Sequence, residues 1–288
     1  RHSFPTRRSS DLVPTPLEYF AALVQVGQGD AIALLEAAAC IAHDTYSDLD
    51  VQQFLDEMDR LQERLQRRMP QDAQPLQRLN VLNRFFYGEL GFSANLNDYY
   101  APDNSYLHVV LSTRRGIPIS LALLWLELAQ AVGLKAYGVS FPGHFLVKVL
   151  LPGGQAVLDP ISGHALSREA LSERLEPFRQ HQGAVQEEVP LGLYLQAASA
   201  RDMLARMLRN LKEIHRTRLD WQHAVAVQDR LIALLPDAWE EWRDRGLAQA
   251  ELGRPLQAVQ DLEVYLAHAQ GAGDVRQIQQ RILELRRP

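Results

Sequence analysis

Two residues in the middle of the chain, His144 and Asp159, are of the types that form catalytic pairs. His144 lies in Phe-Pro-Gly-His-Phe, just before the second of three short apolar stretches, and Asp159 ends the third in Leu-Asp-Pro. In an antiparallel meander these positions can become neighbours, and a carboxylate beside an imidazole orients the ring and stabilises its charged form. The order of segments predicts a hydrogen bond of about 2.7–3.2 Å between them. A purely structural His–Asp hydrogen bond at a strand end would have the same spacing.

A nucleophile for this pair has two candidates, Ser120 and Cys40. Ser120 lies in the first turn of the helix predicted to begin at Pro118, where its hydroxyl can in principle face His144. A serine in a first turn also commonly bonds to the backbone. Cys40 stands in Ala-Ala-Ala-Cys-Ile-Ala, mid-helix among small apolar residues, which is the setting of a buried and inert thiol. The residue types alone leave the nucleophile open.

Three further residues are candidates for ligand binding. Arg114 and Arg115 directly precede the predicted helix start, and Asn104 lies in the Asn-rich loop before them. Two guanidinium groups near free backbone N–H groups can bind a carboxylate or a phosphate. The alternative is a solvated arginine pair that packs on the loop.

No metal site and no cofactor are predicted. The histidines are scattered, and neither an HExxH nor a CxxC pair occurs. His144, His164 and Asp159 can meet after folding, but unrelated surface positions are the favoured explanation of these three residues. With Cys40 as its single cysteine, the chain can form no internal disulfide and no multi-cysteine zinc site.

The segments that must position these residues show different residue patterns along the chain, first helical, then loop-like, then helical again and finally strand-like. The spacing of apolar residues predicts helices over 14–93, and Asn, Asp and Pro predict a loop over 94–105. A helix from Pro118 to Gly133 follows, and then a three-stranded meander built from AYGVS, FLVKVLL and QAVLD. Gly143, just before His144, is expected to let the backbone approach another group closely.

The chain after Leu191 is predicted to be helical and internally repeated. Ala224 and Ala258 recur after about 34 residues, the period of tetratricopeptide repeats, at the position where paired helices touch. Pro236 should separate the two units. Two repeats are fewer than the three or so that are usually stable alone, so the repeats are expected to pack on the first domain. The tryptophans are the predicted anchors of that contact: Trp221, Trp239 and Trp242.

Several long segments together resemble one protein family. The segments PDNSYLHVVLSTRRG, RRGIPIS, FPGHFLVK and LDP are similar to those of the SirB-type transglutaminase-like family, and the resemblance covers nearly everything after residue 13. It implies an α+β fold, with a helical N-terminal part, a transglutaminase-like (papain-like) core with a small antiparallel sheet, and an all-α tetratricopeptide-like region. The family occurs in bacteria and in some eukaryotic F-box proteins.

The resemblance also assigns roles to the candidate site residues. His144 matches the catalytic His and Asp159 the catalytic Asp of the superfamily. The usual Gly-x-Cys at the helix start corresponds to Gly116-Ile117-Pro118, so the nucleophilic Cys is replaced by a proline. Thiol chemistry is therefore unsupported, because it requires a thiolate paired with His.

These patterns predict the domain organisation. Residues 1–12 resemble the translation of a sequencing adapter and are set aside. The SirB-type domain is expected over 13–180, with a helical part at 14–93 and the core at 94–176, and the tetratricopeptide-like repeats over 191–288.

The composition argues against two classes of binding partner. A net charge of −5 and a pI near 6.0 argue against nucleic acid and membrane surfaces as partners. We expect a cytoplasmic, bacterial protein whose repeats bind a protein or peptide, with a binding or regulatory function. The alternative is a hydrolase or acyltransferase that uses the His144–Asp159 pair with Ser120 or with an activated water.

Overall fold

The chain is seen here in a computed structural model. It describes residues 14–25, 32–181, 189–269 and 271–287. The predicted adapter segment 1–12 and residues 182–188, between the two predicted domains, lie outside the described residues. The described chain is mostly helical with two small sheets, which confirms the α+β class. Within these ranges no helix has the length and apolar character needed to cross a membrane.

Helices make up most of the described chain, and the strands are short. The first part contains helices α1 (Pro16–Val24), α2 (Leu34–Cys40), α3 (Val51–Gln66), α4 (Pro75–Asn83), α5 (Leu107–Thr113), α6 (Pro118–Ala131) and α7 (Arg168–His181). The second part contains α8 (Leu191–Tyr194), α9 (Ala200–Thr217), α10 (Trp221–Leu234), α11 (Trp239–Glu251), α12 (Pro255–His268) and α13 (Val275–Leu285). The strands are β1 (Ser93–Ala94), β2 (Arg115–Gly116), β3 (Ala136–Val139), β4 (Leu146–Leu151) and β5 (Gly154–Leu158).

Helix α6 runs through the main core. Pro118 takes its first position, where the missing N–H breaks no helical hydrogen bond. Trp125 is buried and donates from Nε1 to Asn83 Oδ1 at 3.0 Å, so its one polar atom is satisfied. Gly133, at φ +69°, ends the helix as predicted. A helix that is apolar on nearly every face requires neighbours on every face, and α2 to α5, α9 and the meander supply them.

The predicted meander is confirmed as an antiparallel sheet in the order β3–β4–β5. The register pairs Val139 with Leu146 and Val147 with Leu158. His144 and Asp159 therefore lie at the same edge of the sheet, one just before β4 and the other just after β5. The two-stranded sheet is separate, and its strands β1 and β2 run parallel.

Helices α9 to α12 form two antiparallel pairs in which each helix contacts the next. Ala224 and Ala258 are both buried, and Pro236 lies between the pairs. An added Cβ at Gly246 would lie 3.1 Å from Ala258 O, so α11 and α12 approach closely where the sequence predicted.

The repeat helices pack on the first part of the chain, but the tryptophans are not the anchors. Helices α9 and α10 share the main hydrophobic core with Phe20 of α1. They contribute Met203, Leu204, Met207, Leu208, Leu211, Val227, Leu231 and Leu234. Trp239 and Trp242 instead belong to a distal cluster with Tyr265 and Ile278. The contact between the repeats and the first part of the chain is therefore made by aliphatic side chains of α9 and α10, and not by the tryptophans that the sequence predicted.

Candidate functional site

His144 is held in a tight turn that follows β3. Its backbone N–H donates to Phe141 O at 3.0 Å. Gly143 has φ +69°, and an added Cβ there would lie 2.6 Å from Cζ of Phe178 on α7. The close approach predicted before His144 is therefore a contact with an aromatic ring. The turn leaves the His144 side chain exposed at the sheet edge.

Asp159 begins a loop that other parts of the core hold firmly. Its backbone N–H donates to His164 O at 3.0 Å, which closes the loop. Tyr87 Oη donates to Pro160 O at 2.9 Å. The Tyr87 ring also covers Gly163, where an added Cβ would lie 2.3 Å from Cε2. Burial, together with the Asp159 carboxylate, raises the pKa of Tyr87 and keeps its phenol protonated.

The Asp159 carboxylate has partners other than His144. Oδ1 accepts from Ile161 N at 2.9 Å, and Oδ2 accepts from Arg174 Nη2 at 3.3 Å. Among the described residues no hydrogen bond joins the His144 ring to Asp159, which contradicts the predicted pair. The topology brings the two residues to one sheet edge, but Arg174 of α7 takes the carboxylate.

His144 lies in a positively charged environment. Partial shielding from water lowers the pKa of His144 from the ordinary 6.5, the charges of Arg174 and Arg206 lower it further, and the charge of Asp159 opposes them. Its imidazole is therefore neutral at neutral pH. A neutral ring can accept a proton or a hydrogen bond, but it cannot act as the cationic partner of a thiolate.

Arg206 joins the site from helix α9. It is partly buried, which lowers its pKa, and its charge interacts with Tyr99 and with Arg209. Within the described parts of the chain Arg206 has no carboxylate in ion-pair contact. A cation left without an acidic neighbour beside His144 can pair with an anionic group of a ligand.

The hydroxyl of Ser120 is bonded to backbone groups. The residue is fully buried, and its Oγ donates to Asn104 O at 2.6 Å and accepts from Ile117 N at 3.1 Å. No described hydrogen bond links Ser120 to His144. The hydroxyl thus satisfies backbone groups at the start of α6, which is the structural alternative that first-turn serines allow.

The predicted binding residues do not form one site. Asn104 is buried, and its Nδ2 donates to Asp98 O at 2.7 Å and to Tyr99 O at 3.0 Å, so it organises its own loop. Arg115 Nη1 donates to Gly91 O at 2.8 Å. Arg114, at φ 61°, lies over the Phe92 ring with 4.9 Å from Cζ to the centroid. The two arginines pack on different neighbours, and neither of these contacts is with the Asn-rich loop.

Comparison with known proteins identifies the family. The sequence model described as the transglutaminase-like superfamily matches residues 52–209, which include His144, Asp159, Arg174 and Arg206. The chain belongs to the transglutaminase-like superfamily. A tetratricopeptide repeat model matches residues 211–282, so helix α9 lies across the junction of the two matched ranges.

Two relatives of this transglutaminase-like chain match it over most of its length, and a third matches a short stretch. A UPF0162 protein of Xylella fastidiosa is 35% identical over 257 residues, which are 89% of this chain and 91% of that protein. A UPF0162 protein of Pseudomonas aeruginosa is 30% identical over 260 residues, 89% of this chain and 92% of that protein. F-box only protein 21 of Mus musculus is 42% identical over 81 residues, 28% of this chain and 13% of that protein. No solved structure matches the chain.

Three residues of this transglutaminase-like site escaped the sequence analysis. Tyr87, Arg174 and Arg206 come from the N-terminal helical part, from α7 and from α9, and none stands in a recognisable motif. Arg174 lies 15 residues after Asp159, and the other two are far from His144 in sequence. Only the packing of three separate elements on the sheet edge places them together.

Proposed function

We propose that this protein is a non-catalytic, regulatory binding module of the transglutaminase-like superfamily. In this proposal Pro118 stands at the position of the nucleophilic Cys, and the tetratricopeptide repeats bind a protein or peptide. Stacked helix pairs expose a surface suited to that use.

The diversion of Asp159 to Arg174 is the observation that carries the proposal. A His–Asp pair works in catalysis because the carboxylate orients the imidazole and stabilises its charged form. Here the carboxylate accepts from Arg174 Nη2 at 3.3 Å, and Arg174 and Arg206 disfavour a charged His144. The arrangement supports binding of an anion more than proton transfer.

The remaining nucleophile candidates support the same view. Ser120 is buried and bonded to Asn104 O and Ile117 N. Cys40 is buried, and burial together with the charge of Glu36 raises the pKa of its thiol to about 12, so almost no thiolate forms at neutral pH.

The partner chemistry that fits the site is a carboxylate-bearing peptide. His144 and Arg206 offer a hydrogen-bonding ring and a guanidinium without an acidic neighbour. Arg209 follows one turn later on the same helix, but its charge is shared with the buried Glu241, whose Oε1 lies 3.4 Å from Arg209 Nε. An acidic segment or a C-terminal carboxylate can pair with these groups through charge-assisted hydrogen bonds.

Activation of a water by His144 is the second candidate function. The observation in its favour is that His144 is exposed and neutral at neutral pH, the state of a general base. The hydrolase or acyltransferase alternative depends on this route, because Ser120 is not available to the ring.

The two functions are separated by measuring turnover and binding on the full chain. Serine- and cysteine-directed activity probes and a panel of ester and amide substrates are applied to the wild type, to His144→Ala and to His164→Ala as an exposed histidine control. In parallel, a library of acidic peptides is tested against the wild type, Arg206→Glu and Arg276→Glu, the last being an exposed arginine of α13.

We expect no labelling or turnover that depends on His144, and enrichment of acidic peptides that Arg206→Glu abolishes and Arg276→Glu retains. Turnover that His144→Ala removes and His164→Ala leaves intact would establish the hydrolase function instead. Peptide binding that survives Arg206→Glu would remove the anion site from the proposal.

A further inference from the structure

Two histidines and one aspartate meet at the turn between α9 and α10. His215 lies in the last turn of α9, Asp220 caps the start of α10, and His223 lies in the first turn of α10. His215 Nδ1 is 3.1 Å and His223 Nδ1 is 2.8 Å from the same oxygen, Asp220 Oδ2. Across the described ranges this is the group of His, Cys, Asp and Glu side chains close enough to share a metal ion.

We propose that His215, Asp220 and His223 bind a divalent transition-metal ion of the Zn²⁺ type. Two imidazole nitrogens and one carboxylate oxygen are the ligands that Zn²⁺ takes in proteins with an open coordination position. The three candidate ligand atoms lie within 4.8 Å of one another, so small side-chain shifts bring them around one ion. The spacing of these residues, His-x4-Asp-x2-His, matches neither an HExxH nor a CxxC pair, so the sequence did not predict a metal site here.

The ring of His215 is placed to coordinate an ion through Nδ1, which now contacts Asp220 Oδ2 at 3.1 Å. On metal binding the ion would take the place of that hydrogen bond, and the ring proton would sit on Nε2. This atom is buried and has no hydrogen-bond partner among the described residues.

Access to the cluster is from one side. The His215 side chain is 4% exposed, whereas those of Asp220 and His223 are 35% and 33% exposed. An ion can enter past the two exposed ligands and keep water in its remaining position. The buried imidazole would hold the ion against the helix turn.

The position of the cluster suggests what the metal would stabilise. Arg218, in the same turn, donates from Nη2 to Tyr100 O in the core loop at 3.2 Å. An ion bound here would tie the end of α9 to the start of α10, next to the transglutaminase-like core.

The test is metal titration of the full chain after removal of metal with a chelator. Zn²⁺ binding is measured by calorimetry, and Co²⁺ is used as a visible-absorbing substitute that reports nitrogen ligation. His223→Asn keeps an N–H that can donate to Asp220, and Asp220→Asn keeps an oxygen that can cap α10, so both variants remove a ligand and preserve the local fold. His268→Asn, which changes a histidine of α12 stacked on Trp239, is the control.

We expect one Zn²⁺ per chain, a Co²⁺ spectrum typical of low coordination number, and a melting temperature that rises with Zn²⁺. Both cluster variants should weaken Zn²⁺ binding at least about tenfold, because even outer-shell substitutions have that effect at metal sites. His268→Asn should bind as the wild type does. Absence of saturable binding to the wild type, or equal binding by the cluster variants and the control, would overturn the proposal.

Discussion

The guanidinium of Arg174 lies 3.3 Å from the carboxylate of Asp159, at the sheet edge where His144 also stands. Both partners are largely shielded, with side chains 29% and 20% exposed. The ion pair leaves His144 without its expected orienting group and adds a positive charge beside the ring. This arrangement favours a neutral imidazole, and in the proposed function it leaves the site open to an anionic ligand.

The ion pair predicts how His144 titrates. Arg174→Met should raise the pKa of His144 towards its ordinary 6.5, because it removes a positive charge and frees the Asp159 carboxylate. Asp159→Asn should lower the pKa of His144 below its wild-type value, because it removes a negative charge. The pKa is read from the His144 ring resonances in an NMR titration, with Arg168→Met, an exposed arginine of the same helix, as the control. Identical titration curves in all four proteins would show that the charges do not act on the ring.

Restoring a thiol at the helix start tests the ancestry of the site. In the Pro118→Cys variant the new thiol occupies the first position of α6, where a helix N-terminus lowers a cysteine pKa. We expect rapid alkylation at neutral pH. Alkylation should be slower when His144→Ala is added, because a neutral imidazole facing the thiol can accept its proton. Cys40 supplies the background rate, because it is buried with a pKa raised to about 12. If His144→Ala leaves the alkylation rate unchanged, the helix start does not face the imidazole.

The turn before His144 should tolerate no side chain at Gly143. Gly143→Ala combines a positive φ with a contact on the Phe178 ring and should lower the free energy of unfolding by about 1–3 kcal/mol. Gly153→Ala is the matched control, since φ is +88° and an added Cβ meets no atom within 4 Å. Chemical denaturation measures both. Equal losses would mean that Phe178 yields without cost.

A buried acid in the repeats depends on Lys212. Glu241 is 4% exposed and accepts from Lys212 Nζ at 2.5 Å, with Arg209 at 3.4 Å. Lys212→Met should lower the free energy of unfolding by up to roughly 3 kcal/mol, because it leaves a buried carboxylate poorly paired. Arg216→Met breaks an exposed pair with Glu213 and should cost about 1 kcal/mol at most. Lys212 thus supplies the charge that the buried Glu241 needs, and equal melting curves for both variants would refute that explanation.

The repeats should not fold well without the core. A fragment of residues 190–288 exposes the faces of α9 and α10 that pack against Phe20 in the intact chain. We expect low helicity by circular dichroism and no cooperative thermal transition, in contrast to the full chain. A sharp transition in the fragment alone would show that the distal cluster around Tyr265 is sufficient for stability.

Helices and strands could be predicted from the sequence because the interactions that form them act between residues close in sequence. The apolar spacing after Pro118, the Gly133 stop and the alternation of strands with Pro-Gly turns act within a few residues, and the structure has α6 and the meander where they predict. Ala224 and Ala258 recur with the period of the repeat, and both are buried, as expected for positions where paired helices touch.

Tertiary structure alone decided which side chains meet. Asp159 binds Arg174, Ser120 binds Asn104 O, and His215 and His223 share Asp220. The sequence by itself determined the elements and their order, because propensity, turn chemistry and hydrophobic periodicity are properties of short segments. The superfamily was indicated separately, by the resemblance of several long segments. The sequence did not determine the partners of each polar group, because two or three elements packed on one edge compete for the same carboxylate or hydroxyl, and only their final positions settle which contact forms.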